Sequence, residues 1–436
     1  MEQLRARLVG TLEASGGSGS VAIVPLAHGD NGAVVFSRTD RDGLRELHAR
    51  LLATGLASMV LGYASVDSLP PGGWHHPAHD LLAQVSRGEL PLALPNGPGE
   101  TWSEVGPRHL GDTSSGVRCI RLPLGGHTRG SVNVFIVELD RGVMLIDAGL
   151  ASETERLQHG LALAGVLPGQ IRAVVCTHAH ADHVGGASAL QRAGWLAEDG
   201  RIVLHRHTDR LGREMFLGEP VKFLAQLREN GVGEEELPRW RADLRMMAGL
   251  ADWPSDPYLV SAGARLDFGE VAVEIVGTPG HCPDHIAILL HRPSAVPVVF
   301  LGDMTLGSRF PRCGVRDWES VDPIGDLLES WHRVAAVEGA IGLPAHGPPL
   351  GLVDAGHRTV SEAYEGAVED FLKRWEGRVV SAAEIAEVMT AGEQAFGPRQ
   401  FELYGAIAML HHLEARGFAR RVPDRLPVVY RVETRG

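Results

Sequence analysis

Three imidazoles and a carboxylate fall within six residues in the stretch Cys176-Thr177-His178-Ala179-His180-Ala181-Asp182-His183. His178 and His180 are two apart, so an extended segment points them to one side. Asp182 and His183 lie where the chain must turn toward Gly185-Gly186, so they can face a second point a few ångströms away. Nitrogen and oxygen ligands converging from two directions are what a pair of borderline metal ions needs. A chance cluster or a solvated polar face explains this density of histidine poorly.

Three further fragments follow. Thr278-Pro279-Gly280-His281 ends an alternating run with Val271, Val273 and Ile275, which predicts a strand leading into a tight turn that presents His281. Gly302-Asp303 closes the apolar run Val298–Leu301, and Leu343-Pro344-Ala345-His346-Gly347 repeats a strand or loop end with a histidine and a glycine. Each fragment alone reads more readily as structure than as chemistry. Together, and in this order, they resemble the ligand motifs of the metallo-β-lactamase superfamily: HxHxDH, a distal histidine, a bridging aspartate and a final histidine. Every position of that pattern is filled, over about residues 116–351.

The resemblance implies an α/β fold, the αββα metallo-β-lactamase sandwich, with metals at one edge. It implies that His178, His180 and His281 hold one ion, that Asp182, His183 and His346 hold a second, and that Asp303 bridges them. Two divalent ions about 3.5–4 Å apart can share a hydroxide at neutral pH and polarise the bond it attacks. Asp182 and Asp303 are thus the expected catalytic carboxylates, Asp182 also handling protons. Zinc is the default for such a ligand set, with iron or manganese open. The Ile146-Asp147-Ala148-Gly149 element is similar to a supporting motif, in which Asp147 accepts a hydrogen bond from a ligand imidazole and fixes its tautomer.

The elements that must position these residues are legible around them. Ile171–Val175 reads as a buried strand feeding the histidine stretch. Ser131–Leu139 and Val143–Ile146 flank Asp140-Arg141-Gly142 as a hairpin. A helix is expected over 152–164, another running from the glycines to about Trp195, and a strand over 201–204. His205, at that strand's end, is a candidate substrate contact. Residues 208–256 are long for a connection and read as helical, with an apolar stripe that includes Trp240 and Met247. In hydrolases of the resembled family such an insertion forms a lid, which makes Trp240 and Met247 candidate substrate contacts and favours an acyl group over a bare phosphodiester.

Three regions follow: an N-terminal α+β extension at 1–112, a catalytic module at 113–356 carrying the insertion at 208–256, and a C-terminal unit at 357–436. The extension shows a helix at 4–12, a strand pair at 21–26 and 33–37, a helix at 42–52, and His75, His76 and His79 without an accompanying carboxylate motif. In the C-terminal unit Ser381-Ala382-Ala383-Glu384 resembles a capping box. A second helix spans 402–416, and strands 418–422 and 426–432 surround Pro423-Asp424-Arg425. Helices followed by a two-stranded wing resemble a winged helix. From 381 to 436 the unit holds seven acidic and seven basic residues, which speaks against reading DNA and for packing or interaction.

Composition narrows the chemistry. The 436 residues carry a formal net charge of −13, with Lys222 and Lys373 the only lysines. Phosphate backbones and anionic membranes select clustered basic residues, so neither is an expected partner. No run of eighteen apolar residues and no signal-peptide pattern is present, which predicts a cytoplasmic protein. The cysteines Cys119, Cys176, Cys282 and Cys313 form no CxxC pair, and Cys176 and Cys282 read as packing beside the site. The resulting expectation is a dinuclear metal hydrolase, similar to hydroxyacylglutathione hydrolase, acting on a small thioester, ester or lactone, with a homodimer allowed. An endoribonuclease or other phosphodiesterase and a di-iron redox enzyme are the alternatives within the same family.

Overall fold

The strand Ser131–Glu138 shows how the chain builds its layers. Val132, Val134 and Ile136 join one apolar cluster while Phe135 and Val137 join another, because successive side chains leave a strand on opposite faces. A strand that is apolar on both faces must be covered twice, and the architecture follows from that requirement.

The structure is a computed structural model that describes residues 116–124, 131–219, 221–305, 321–347, 351–390 and 399–433, together with strand backbones at 21–25, 33–37, 60–65, 93–94, 103–104 and 108–109. His75, His76, His79 and Cys313 lie outside the described residues, as do the helices expected at 4–12 and 42–52. The first five strands, β1 (Val21–Pro25), β2 (Ala33–Ser37), β3 (Val60–Ser65), β4 (Ala93–Leu94) and β5 (Ser103–Glu104), form one sheet. β1 and β2 pair antiparallel, at the place of the strand pair expected over 21–26 and 33–37.

A seven-stranded sheet follows, built from β6 (Arg108–His109), β7 (Val117–Pro123), β8 (Ser131–Glu138), β9 (Val143–Ile146), β10 (Ile171–Val175), β11 (Leu196–His205) and β12 (Tyr258–Val260), in the order β12-β11-β10-β9-β8-β7-β6. A six-stranded sheet holds β13 (Arg265–Phe268), β14 (Val271–Gly277), β15 (Ile286–His291), β16 (Val298–Gly302), β17 (Ile341–Pro344) and β18 (Gly351–Leu352) in chain order. Phe135, Val137 and Val175 of the first sheet meet Ile288, Val298 and Phe300 of the second in one buried cluster, with the Phe135 and Phe300 rings 5.2 Å apart.

Helices cover the two outer faces. Thr154–Leu163 and Ala187–Arg192 pack on the seven-stranded sheet through Leu157, Leu161 and Leu190. Pro323–Ala335 and Val353–Trp375 pack on the six-stranded sheet through Leu327, Trp331 and Val360. The result is the expected four-layer α/β sandwich.

The insertion differs from expectation in where its apolar stripe goes. Its helices Val221–Glu229 and Leu237–Ala248 bury Phe223, Leu224, Leu227 and Trp240 in the same cluster as Ile385, Leu403 and Ile407 from the C-terminal unit. Val428 and Ala383 donate backbone hydrogen bonds to the carbonyls of Glu229 and Asn230, and the Phe223 and Tyr404 rings lie 5.7 Å apart. The stripe is therefore a packing surface for the C-terminal segments. Those segments contain the helices Ala382–Thr390 and Arg399–Ala415 and the strands β19 (Val379–Ser381), β20 (Ala419–Arg421) and β21 (Val429–Val432), ordered β19-β21-β20. The capping box is formed: Glu384 Oε2 accepts from the Ser381 amide at 2.7 Å, and Ser381 Oγ accepts from the Glu384 amide at 3.2 Å. Among the described residues no helix is long and apolar enough to cross a membrane.

Candidate metal centre

The chemistry-bearing side chains sit on the turns that follow strands. Asp147 follows β9, His178 and His180 follow β10, Asp303 follows β16 and His346 follows β17. β10 runs parallel to β9 and β16 runs parallel to β17. Parallel neighbours end at the same edge, so residues far apart in sequence meet there.

Two groups result. The ligand atoms of His178, His180, His281 and Asp303 lie within 4.8 Å of one another, as do those of Asp182, His183 and His346. His178 Nε2 and His281 Nε2 lie 2.8 and 3.1 Å from His180 Nδ1. Two nitrogens bound to one tetrahedral ion at about 2.05 Å would lie about 3.3 Å apart, so three rings already have nearly the spacing a single cation imposes. Asp303 faces both groups with different oxygens. Its Oδ2 is 3.3 Å from His281 Nε2, and its Oδ1 is 3.4 Å from His183 Nε2 and 3.3 Å from His346 Nε2. Asp182 completes the second group, 3.6 Å from His183 Nε2 and 3.4 Å from His346 Nε2.

In the second group two rings, those of His183 and His346, are tied down at their Nδ1 ends. Asp147, itself 1 % exposed, takes a left-handed φ of 63° and accepts from His183 Nδ1 at 2.8 Å and from the Thr177 amide at 2.8 Å. His346 Nδ1 donates to the Ser131 carbonyl at 2.8 Å. Each ring thus presents Nε2 to the centre. There His183 Nε2 and Asp303 Oδ1 are fully buried with no hydrogen-bond partner. Buried polar atoms without partners are costly in an ordinary core and are the expected finish of a cation site. The donor set, imidazoles with two carboxylates, fits a divalent ion of zinc type.

Electrostatics follow from the crowding. Burial would lower His183, but Asp182, Asp303 and Asp147 outweigh it and push the ring up to about 10. His346 is likewise lowered by burial and raised more strongly by Asp303, to about 9. Burial would raise the Asp303 carboxyl, yet facing His346, His183 and His281 hold it well below the usual carboxylate range. His178 is held well below its ordinary value by burial and by the rings around it. Burial also pushes the Cys176 and Cys282 thiols well above theirs, so both are neutral packing residues.

The remaining candidates fall elsewhere. Trp240 is 6 % exposed inside the core shared with the C-terminal segments, which makes it a packing residue rather than a wall of the centre. Met247 belongs to the helix Leu237–Ala248, and its side chain lies outside the described residues. His205 caps the helix Arg206–Gly212 by accepting from the His207 amide. Sequence reasoning missed several supports. Asn133 donates to the Pro344 and Gly347 carbonyls at 2.9 Å each, clamping the turn that carries His346. Asp284 accepts from the Ala179 amide at 2.8 Å, and His285 accepts from the Asp303 amide at 3.0 Å. The available signal was a polar pair at the mouth of the apolar run Ile286–Leu290.

Comparison with known proteins agrees with this geometry. The chain is 25 % identical over 229 residues to the human "Metallo-beta-lactamase domain-containing protein 1", covering 51 % of this chain and 64 % of that one, less than two thirds of the relative's length. It is 24 % identical over 286 residues to the "Probable metallo-hydrolase YqjP" of Bacillus subtilis, covering 63 % of this chain and 85 % of that one. A solved beta-lactamase domain protein from Burkholderia ambifaria superposes with a TM-score of 0.62 at 22 % identity, over 75 % of this chain and 94 % of the other, which places the fold. The family model described as the metallo-beta-lactamase superfamily matches residues 127–383, and the chain belongs to that superfamily.

Proposed function

We propose that this protein is a hydrolase that uses two divalent metal ions, zinc by default, to cleave a thioester, ester or lactone of a small molecule. The observation that carries the reading is the Asp303 carboxylate, with Oδ2 toward the His178–His180–His281 group and Oδ1 toward His183 and His346. A single carboxylate shared between two ligand groups is the arrangement of a two-ion site. When bound, the ions supply an acidified water and a Lewis acid for the scissile carbonyl. His178, His180 and His281 would hold one ion, Asp182, His183 and His346 the other, and Asp303 both.

The chain's own residues do the rest. Asp147 and the Ser131 carbonyl keep His183 and His346 in the tautomer that presents Nε2. Asp182, whose side chain is 22 % exposed, is the carboxylate of the centre most open to solvent. It is placed to take the proton from the attacking water and pass it to the leaving group. The water oxygen bonds to the acyl carbon, the C–S or C–O bond breaks, and the thiolate or alkoxide leaves with that proton. The acyl substrate class is supported by charge: a net charge of −13 makes the chain a poor generic partner for a phosphodiester polymer. The insertion's apolar stripe is buried against the C-terminal segments and offers no large apolar lid from Phe223, Leu224, Leu227 or Trp240, which favours a small substrate.

The test is turnover of a panel of small thioesters, lactones and phosphodiesters by the metal-loaded protein, beside the Asp303→Ala variant. The expected result is metal-dependent acyl hydrolysis that Asp303→Ala abolishes. Brisk phosphodiester cleavage with negligible acyl turnover would overturn the substrate class.

A further inference from the structure

Asp284, His285 and Ile286 belong to neither ligand group, yet they touch every turn that carries the first one. Asp284 Oδ2 accepts from the Ala179 amide, which lies between His178 and His180. The Ile286 amide donates to the Thr177 carbonyl at 2.9 Å. His285, 1 % exposed, spans two turns at once. Its Nε2 lies 3.0 Å from the Asp303 amide and its Nδ1 lies 2.8 Å from Thr278 Oγ1, three residues before His281.

The proton inventory on this ring is forced. A backbone amide only donates, so Nε2 carries the lone pair, and Nδ1 carries the hydrogen that Thr278 Oγ1 accepts. The close approach is written into the neighbouring residue. Gly302, at φ +50°, lies where an added Cβ would stand 2.5 Å from His285 Nε2 and 3.1 Å from Thr177 Cβ. Any side chain at 302 would displace the ring that Asp303 leans on.

We propose that His285 is the positioning residue for Asp303, fixing the aspartate's backbone so that its two oxygens face the two ligand groups. The inference rests on the two-ion reading above. Removing the acceptor leaves a buried amide unsatisfied, and the turn can relieve that by rotating the peptide, which swings the attached carboxylate away from one group. An outer partner of this kind typically alters metal affinity about 10- to 100-fold.

Cobalt(II) titration of the metal-free full chain tests the idea, with ion content by elemental analysis, the visible cobalt spectrum as readout, and circular dichroism of each metal-free variant as the folding control. His285→Gln can place a carbonyl oxygen near the Nε2 position and keeps the acceptor. His285→Asn keeps a donor toward Thr278 but does not reach the Asp303 amide, and His285→Leu does neither. The parent is expected to bind about two ions per chain. His285→Gln should bind two with affinities within about threefold of the parent, whereas His285→Asn and His285→Leu should bind one of the two about 10- to 100-fold more weakly, with a changed spectrum. Parental binding and spectrum in the Asn and Leu variants would overturn the proposal, and so would a Gln variant as impaired as the Leu one. If the Leu variant does not fold, the Asn and Gln pair decides. A parent that binds fewer than two ions sinks the two-ion reading itself, a failure distinct from that of His285.

Discussion

Replacing Asp147 by asparagine isolates the support behind the second ligand group. The carboxylate accepts three hydrogen bonds, from the Thr177 amide at 2.8 Å, Thr177 Oγ1 at 3.0 Å and His183 Nδ1 at 2.8 Å. Asparagine tolerates the left-handed φ of 63°, so the backbone costs little. Its amide, however, offers one acceptor oxygen and a donating NH2. If the oxygen keeps Thr177, the NH2 faces His183 Nδ1 and drives the ring toward the tautomer with its hydrogen on Nε2. That hydrogen would point at Asp303 Oδ1, 3.4 Å away, where a cation is meant to sit. A charge-assisted hydrogen bond is worth about 1.5–3 kcal/mol, which converts to roughly 10- to 150-fold in affinity. Chelator-competition titration with zinc should show one ion weakened by that factor and the other, held by His178, His180 and His281, within about threefold of the parent. Two parental affinities in a folded Asp147→Asn protein would refute the support role assigned to this carboxylate.

Other expectations follow from the same coordinates. Because the facing carboxylates push His183 up to about 10 and His346 up to about 9 against the effect of burial, zinc binding at neutral pH should release about two protons and strengthen as pH rises, measurable by calorimetry in buffers of different ionisation heat; no release would contradict the assignment. Those raised values also give the metal-free protein stability that is full below about pH 6.5 and is lost as pH climbs through 9 to 10, so its melting temperature should fall across that interval. Trp240→Ala should cost about 3–5 kcal/mol of stability by denaturant melting while KM stays within about twofold, since the ring packs in the core; a large KM change at parental stability would restore a substrate contact. Asn133→Ala removes both hydrogen bonds that clamp the His346 turn and should lower metal affinity about tenfold; unchanged affinity would leave Asn133 a merely structural residue.

Several of the strands that feed the centre, and the seven candidate ligand side chains that follow them, were legible because each signal is local. An apolar run of strand length ending in a polar residue marks a strand edge wherever it occurs, and Ile171–Val175 has the bounds its composition predicts. β11 starts at Leu196, five residues before the expected start at 201, because its pairing with β10 jumps from Leu196 to Arg201 across Glu198, Asp199 and Gly200. Charged residues inside a bulged strand leave no periodicity to read. The roles of Asp284 and His285 were not legible for another reason: the polar pair stands out before an apolar run, but its partners lie up to 105 residues away across two sheets. The insertion shows the same limit more sharply. An amphipathic stripe says that a face must be covered, and only the chain as a whole determines that Tyr404, rather than a substrate, meets Phe223 and that Trp240 joins the same core as Leu403.

Anomalous diffraction from crystals of the metal-loaded protein, collected at the absorption edge of the bound metal, reaches the central claim most directly. Two peaks are predicted on either side of the Asp303 carboxylate, one among His178, His180 and His281 and one among Asp182, His183 and His346. A single peak, or density away from these side chains, would contradict it.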